Sequence, residues 1–448
     1  MSLGSFFEPK SVAVIGASRE LGKLGHEVFK NIVDARYKGD LYPINPKADE
    51  ILGRRCYPSI KDVPGDVELV VVIVPAKFVP LVIADCGLKA VRAAIVISGG
   101  FKETGDAGKE LERQMLEAAH KAGIRIIGPN CQGVNSTTSG LCASWPLVTT
   151  KGAISVVSQS GTVGAALECW AADEGIGVCK FVALGNKSDV DEIELLEYLA
   201  DDSNTKVIAL YIEGMRDGRK FMEVARDAVR KKPVVVLKGG RTAKGVEAVL
   251  SHTRSLAGSD KIFGAAFKQV GIIRAGGVEE LYDICKGFTR LPPPKGKNVV
   301  VITSSGGAGI LAVDACEEMG LNLVNLPEKA HTALEEKLPP VCTLRNPLDL
   351  TGSATSQMYD EVLAALGAES EVNSVVMIIG DPMPGITEVI LDHFKAGKTI
   401  VPVMLGGGSV EVEERAKLQR ANVPVYSDPT RAVRALAALA RHQLVDKV

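Results

Sequence analysis

His252 stands in the run Ser251-His252-Thr253-Arg254-Ser255-Leu256-Ala257-Gly258, directly after the basic, glycine-rich segment Lys238-Gly239-Gly240-Arg241-Thr242-Ala243-Lys244-Gly245. A neutral imidazole nitrogen is nucleophilic near pH 7, which makes histidine a good phosphoryl carrier. Flanking hydroxyls, backbone N–H groups and lysines would stabilise the dianion it then carries. Taken alone, one histidine among six is more often a surface residue or a satisfied core residue. Glu213, in Ile212-Glu213-Gly214-Met215, ends a strand-like run one βα unit and a loop earlier. A carboxylate there could accept a proton from the imidazole and hold the tautomer that frees the other nitrogen. It could equally be a solvated carboxylate or a helix cap. His26, His120, His331, His393 and His442 have no partner at ligand spacing and read as surface or helix-face residues.

Five strand-like runs end in small turns that carry hydroxyl or amide groups: Gly16-Ala17-Ser18, Ser98-Gly99-Gly100, Gly128-Pro129-Asn130, Ser158-Gln159-Ser160-Gly161 and Thr303-Ser304-Ser305-Gly306-Gly307. One such turn is ordinarily a tight βα connection with a serine cap. Five in one chain point to at least one phosphate-bearing ligand, because free N–H groups at a helix start bind anions. Gly16, Gly22 and Gly25 do not make the G-x-G-x-x-G fingerprint, and Lys23-Leu24 after Gly22 does not make a P-loop. A phosphohistidine enzyme built this way would take its nucleotide on another polypeptide.

These residues need a scaffold. The 448 residues are enough for about three domains, and with 46% hydrophobic residues each can bury an ample core. A formal charge of −2 gives no basic excess for nucleic acid or an anionic membrane surface. Low aromatic content, 5%, with 46 glycines suits tightly turned α/β units. The nine cysteines are scattered without metal or redox spacing, as expected of reduced thiols in a cytoplasmic protein. The amino terminus lacks the pattern of a signal peptide, and the longest apolar run, Leu69 to Pro75, is too short to span a bilayer.

Short apolar, β-branched runs alternate with amphipathic stretches throughout, as in parallel strands joined by crossover helices. Strands are predicted at Val12–Ile15, Leu69–Val74, Ala94–Ile97 and Arg125–Ile127, then at Ala153–Val157, Cys179–Ala183, Lys206–Ile212 and Pro233–Leu237. A third series runs Asn298–Ile302, Leu321–Val324, Ser374–Ile379, Ile400–Leu405 and Val423–Tyr426. A turn-rich connection near 145–152 and the proline-rich stretch Thr289–Lys297, read as a stiff, solvated linker, separate the series. The expectation is α/β, with three doubly wound parallel-sheet domains: a Rossmann-like domain at 1–145 and flavodoxin-like domains at 150–288 and 296–448.

Val12-Ala13-Val14-Ile15-Gly16-Ala17-Ser18, Tyr42-Pro43-Ile44-Asn45-Pro46-Lys47, Val72-Ile73-Val74-Pro75-Ala76, Ser98-Gly99-Gly100-Phe101 and Gly128-Pro129-Asn130-Cys131-Gln132-Gly133 mark the first domain. Ser158-Gln159-Ser160-Gly161-Thr162 and Ser251-His252-Thr253 mark the second, and Arg345-Asn346-Pro347-Leu348-Asp349 the third. On these motifs the whole chain resembles the α subunit of the NDP-forming acyl-CoA synthetases, the family of the archaeal ADP-forming acetate–CoA ligases and a relative of succinyl-CoA synthetase. The resemblance implies a CoA-binding domain, with Gly16, Ser18, Arg19 and Lys47 at the CoA phosphates and Pro75, Ile97 and Ser98 lining its site. It implies a phosphoryl group carried by His252, oriented by Glu213, and faced by Ser160, Gly161 and Asn130.

The reaction implied converts acyl-CoA, phosphate and ADP to a carboxylic acid, CoA and ATP, through an acyl phosphate and phosphohistidine. Mg2+ and ADP/ATP would sit on an ATP-grasp β subunit, in an α2β2 assembly. Arg254 stands where the family usually has glycine, and Ala165 where succinyl-CoA synthetases carry a tyrosine. The second difference argues for an acyl group other than succinyl. The alternative reading is a CoA-binding regulatory relative without transfer chemistry. A nucleotide-dependent oxidoreductase is disfavoured by the missing fingerprint.

Overall fold

In the computed structural model the described residues are 3–253, 258–367 and 369–445, without the side chains of 251–253, 444 and 445. Two compact units divide the chain, Met1–Val278 and Glu279–Val448. Among the described residues the first unit holds two large sheets and a two-stranded ribbon, and the second holds one sheet. Among the described residues no helix is long and apolar enough to cross a membrane.

In chain order the strands of the first sheet are Ser11–Ile15, Asp40–Ile44, Leu69–Val72, Ala93–Val96 and Arg125–Ile127, all parallel and lying in the order 2-1-3-4-5. The parallel part of the second sheet repeats that order with Lys151–Ser158, Val178–Ala183, Val207–Ile212, Val234–Lys238 and Ile273–Ala275. In the terminal sheet Asn298–Thr303, Asn322–Leu323, Ser374–Ile379 and Thr399–Met404 lie as 2-1-3-4. The β-branched runs explain the pattern, since strands covered on both faces need apolar residues at every position. In the terminal sheet Val299 and Val301 pack on one face while Val300 and Ile302 pack on the other, all fully buried. An order of 2-1-3 reverses direction beside the first strand. A crevice therefore opens between the first and third strands at their carboxyl ends, where such sheets bind ligands.

Several details differ from expectation. The hairpin of Val134–Ser136 and Leu141–Ala143, placed by sequence within the first domain, pairs antiparallel with Val178–Ala183 and extends the second sheet. Helix Val278–Arg290 falls, from Glu279 onward, in the second compact unit. Its buried Asp283 accepts from Arg431 at 2.5 Å, Lys286 donates to the Val425 carbonyl at 3.0 Å, and Gly287 packs against Leu439. The proline stretch is not fully solvated, because Leu291 and Pro294 are buried and Thr399 donates to the Pro292 carbonyl at 3.0 Å. The predicted strand Val423–Tyr426 contributes a single bridge, Val403 to Tyr426.

Candidate functional site

At the crevice of the first sheet the chain turns at Gly16, whose φ of +95° lies in the region glycine tolerates. A Cβ at Gly16 would sit 2.2 Å from the carbonyl oxygen of Ile73, so the two strand ends touch there without side chains between them. The loop after Gly16 is laced to the one after Asp40–Ile44. Asn45 donates to the Ala17 carbonyl at 2.7 Å, and Arg19 donates to the Lys47 carbonyl at 3.3 Å. Ser18 Oγ accepts from the Glu20 N–H at 3.1 Å, and the Ser18 carbonyl meets His26 Nδ1 at 2.9 Å. Arg19 and Lys47 are exposed and share this edge with Pro75. Ile97 is buried, and the Ser98 hydroxyl accepts from the Val74 N–H at 3.1 Å. Ser98 thus fastens neighbouring strand ends together. The edge presents two cations over a backbone-lined cleft, a fit for an anionic, phosphate-bearing ligand.

The second crevice brings Ser160 and Gly161 together with Glu213. Ser158 ends the first strand of this sheet and Ile212 the third. Helix Gly161–Asp173 starts at Ser160, whose hydroxyl accepts from the Val163 N–H at 3.5 Å. A Cβ at Gly161 would lie 2.5 Å from Gln132 Oε1, so only glycine admits the Gly128–Gly133 loop this closely. Glu213 is 5% exposed. Gln159 grips its backbone, with Oε1 accepting from the N–H groups of Glu213 at 2.7 Å and Gly214 at 3.1 Å. Lys238, 1% exposed and with its ammonium pKa lowered by burial, donates to the Glu213 carbonyl at 2.8 Å. The Tyr211 hydroxyl lies 3.4 Å from Glu213 Oε1, and burial together with that carboxylate pushes the phenol up to about 12. Glu213 is therefore a buried, held carboxylate rather than a solvated one or a helix cap.

His252 lies in the last turn of helix Ala243–Thr253, the helix that follows Val234–Lys238. Its side chain, and residues 254–257 with Arg254, are outside the described residues. Asn130, at a φ of +56°, takes its N–H to the Ser98 carbonyl and its amide to 3.5 Å from Asn186 Oδ1. No group of His, Cys, Asp or Glu that could hold a metal ion occurs among the described residues.

Sequence reasoning missed the turn Gly185-Asn186-Lys187, which follows Val178–Ala183. Lys187 is 5% exposed and Glu192 1% exposed; the Lys187 ammonium donates to both Glu192 oxygens, at 2.8 and 3.0 Å, and to the Gly214 carbonyl at 2.7 Å. Asn186 donates to Glu103 at 2.7 Å and Glu112 at 3.0 Å, and Lys102 donates to the Asn186 carbonyl at 2.7 Å. Burial pushes the Glu103 carboxyl up, but hydrogen bonds from Asn186, Phe101 and Gly100 outweigh it and hold it below the usual range. The signal was present as one more glycine and amide turn after a strand.

Three family models match successive parts of the chain: a CoA binding domain at residues 10–137, a succinyl-CoA ligase like flavodoxin domain at 151–288 and a Ligase-CoA domain at 299–443. The chain is 43% identical to the α subunit of acetate–CoA ligase (ADP-forming) I of Pyrococcus furiosus, over 98% of this chain and 97% of that one. It is 36% identical to the 4-hydroxybutyrate–CoA ligase (ADP-forming) of Nitrosopumilus maritimus, covering 98% of this chain and 64% of that longer protein. Among solved structures it superposes with a TM-score of 0.93 and 36% identity on the Ca. Korarchaeum cryptofilum dinucleotide forming acetyl-coenzyme A synthetase 1 in complex with phosphate and ADP, covering 100% and 98% of the two chains.

Proposed function

Because the chain belongs to the ADP-forming acetate–CoA ligase family, as an α-subunit type within the succinyl-CoA synthetase superfamily, we propose that it carries the thioester and phosphohistidine half of an acid–thiol ligase. The observation that carries this reading is the second crevice. A buried carboxylate, Glu213, stands at the end of one strand, and the capped helix start at Ser160–Gly161 stands at the end of the strand beside it.

In the direction of ATP formation, phosphate attacks the thioester carbonyl and CoA leaves as the thiolate, giving an acyl phosphate. The neutral imidazole of His252 then attacks phosphorus, and the carboxylate leaves. Glu213 would take the hydrogen bond of the other ring nitrogen and stabilise the imidazolium as charge develops. The N–H groups at the start of Gly161–Asp173, with Asn130, would face the phosphoryl oxygens. Phosphoryl transfer asks mainly for positioning and charge neutralisation, which these groups supply. CoA would lie along the first crevice, its phosphates toward Ser18, Arg19 and Lys47 and its pantetheine arm past Pro75, Ile97 and Ser98. ADP and Mg2+ would be held by an ATP-grasp β subunit, in an α2β2 cytoplasmic assembly, where the metal neutralises the nucleotide phosphates. Ala165 in place of a tyrosine favours a small, uncharged acyl group.

The test is a label. The chain, its nucleotide-binding partner, Mg2+ and γ-labelled ATP should give an acid-labile, base-stable phosphoprotein that vanishes in His252→Ala. Label retained in that variant sinks the assignment.

A further inference from the structure

All four main-chain polar groups of Glu213 and Gly214 are held by side chains, and those side chains come from two turns and the end of a neighbouring strand. Gln159 accepts from both N–H groups and donates to the Gly214 carbonyl at 2.8 Å. Lys187 donates to that same carbonyl at 2.7 Å, and Lys238 to the Glu213 carbonyl at 2.8 Å. None of the three is more than 6% exposed. Lys187 also has a left-handed backbone, with φ of +45°, a conformation unfavourable for a residue with a long side chain.

Stability alone does not account for this. A buried ion pair such as Lys187–Glu192 is often matched or bettered by apolar residues of similar volume. What apolar residues cannot do is fix a carbonyl. The neighbour, Asn186, reaches the opposite way. Its amide donates to Glu103 Oε2, while Glu103 Oε1 accepts from the N–H groups of Gly100 and Phe101 at 2.6 and 3.0 Å. Gly185 allows the turn to lie this close, since a Cβ there would be 2.3 Å from the Asn130 carbonyl oxygen.

We propose that the turn Gly185–Lys187 is a positioning device: Lys187, with Gln159, sets the backbone of Glu213 against the Ser160–Gly161 helix start, while Asn186 sets the loop Ser98–Phe101 through Glu103. The loop on the thioester side and the carboxylate on the phosphoryl side thus keep one spacing through two consecutive residues. The proposal rests on the reading of Glu213 as the group that orients His252.

The experiment uses the assembled enzyme with acetyl-CoA, ADP and phosphate, and the double variant Lys187→Met/Glu192→Leu, which removes the pair without stranding a charge. The expected result is a folded protein with kcat lowered about tenfold or more and KM for acetyl-CoA within about twofold. Placed on Glu213→Gln, the same double substitution should add less than about a twofold further loss in single-turnover labelling of His252, because it acts through a group already disabled. A purely structural role would give the same loss in both backgrounds, and that result overturns the proposal. So does a folded double variant with wild-type kcat while Glu213→Gln is impaired. If Glu213→Gln itself is unimpaired, the reading of Glu213 fails and the proposal falls with it. Should the double variant not fold, Gln159→Met opens the same clamp from the other side and carries the same three outcomes.

Discussion

In the middle sheet Ser158 donates to the Ser160 carbonyl at 2.5 Å and accepts from the Ser160 N–H at 3.2 Å; in the terminal sheet Thr303 does the same for Ser305, at 2.8 and 2.9 Å. Each turn then opens a helix, Gly161–Asp173 or Gly306–Met319, and each reaches across to the third strand. The N–H of Gln159 bonds the Tyr211 carbonyl, and that of Ser304 bonds the Ile378 carbonyl. The residue in the middle of the turn holds the backbone just beyond that strand, Gln159 at Glu213 and Ser304 at Gly380, the latter at 2.9 Å. Ladder register extends the match to Lys238, which pairs with Ile212 where Met404 pairs with Ile379.

So Gln159, Glu213 and Lys238 correspond to Ser304, Gly380 and Met404. The hydroxyl-tied turn recurs in both domains, so it does not by itself mark a site. What distinguishes the middle domain is buried charged residues at these positions, Glu213 and Lys238, where the terminal domain has Gly380 and Met404. Burying a carboxylate and two lysines is unfavourable unless each is paired. In the middle domain Lys187 is paired with Glu192 and Lys238 donates to the Glu213 carbonyl, whereas the terminal domain has Gly380 in the place of Glu213.

The largest effect should come from erasing the charge that separates the two turns. Glu213→Gln should lower the rate of His252 phosphorylation tenfold or more, since a hydrogen bond to a charged group is worth about 1.5–3 kcal/mol. CoA affinity, measured by calorimetry, should be unchanged. Wild-type labelling kinetics would leave Glu213 no more than a structural difference between the domains.

The next effect is on stability. Glu168, on helix Gly161–Asp173, is 0% exposed; Asn135 donates to one oxygen at 2.8 Å, and the other meets no hydrogen-bond partner among the described residues. Burial pushes this carboxyl up to about 8. The corresponding residue of the terminal helix is Val313, and among the described residues the terminal sheet has no counterpart of the hairpin that brings Asn135 over Glu168. An acid whose folded pKa is raised leaves the folded state relatively less stable as pH climbs from the unfolded value toward the folded one. The window here runs from near 4.5 to about 8. Glu168→Gln should therefore lie within about 1 kcal/mol of wild type near pH 5 and exceed it by on the order of 4 kcal/mol near pH 8.5. Denaturant titrations at the two pH values check this, and parallel curves for the two proteins would show that Glu168 is charged and accommodated.

A smaller effect follows from giving the middle domain the terminal domain's apolar residue. Lys238→Met removes the donor to the Glu213 carbonyl and a cation 4.9 Å from the Phe263 ring centre. We expect phosphorylation to slow about fivefold, in line with a net hydrogen bond of about 1 kcal/mol. Stability should not fall by a comparable amount, because a buried lysine whose pKa is lowered by burial is an unfavourable group to bury. A folded but clearly less stable variant with wild-type phosphorylation kinetics would reverse the assignment.

Much of this was legible in the residues. The β-branched runs located most parallel strands, because burial on both faces leaves an unbroken apolar signal. The turns after Ile15 and Ser158, and Glu213 at the end of the third strand of the middle sheet, were visible for the same reason. The hairpin Val134–Ala143 was not, since its short strands include Asn135 and Ser136, whose burial depends on the neighbouring sheet. Lys187 and Glu192 were passed over because a lysine and a glutamate five residues apart usually mark a solvated face. Only the fold brings the Gly214 carbonyl to them. The partners that helix Val278–Arg290 finds in Arg431 and Val425 were not legible either, because they lie far along the chain.

The smallest effect tests the terminal turn directly. Ser304 is 6% exposed, and its hydroxyl accepts from the Gly380 N–H at 2.9 Å. Ser304→Ala removes that bond and should destabilise the protein by about 1 kcal/mol, the net value of a neutral hydrogen bond lost from a buried place. Turnover of acetyl-CoA, ADP and phosphate by the assembled enzyme should stay within about twofold of wild type. The expectation follows from what faces this turn: Gly380 brings no side chain, and Met404 brings no charge where Lys238 stands in the other domain. A tenfold loss of rate in the folded variant would mean that the terminal crevice handles a phosphate or nucleotide after all. The two turns would then be two working sites rather than a working one and a likeness that lacks Glu213 and Lys238.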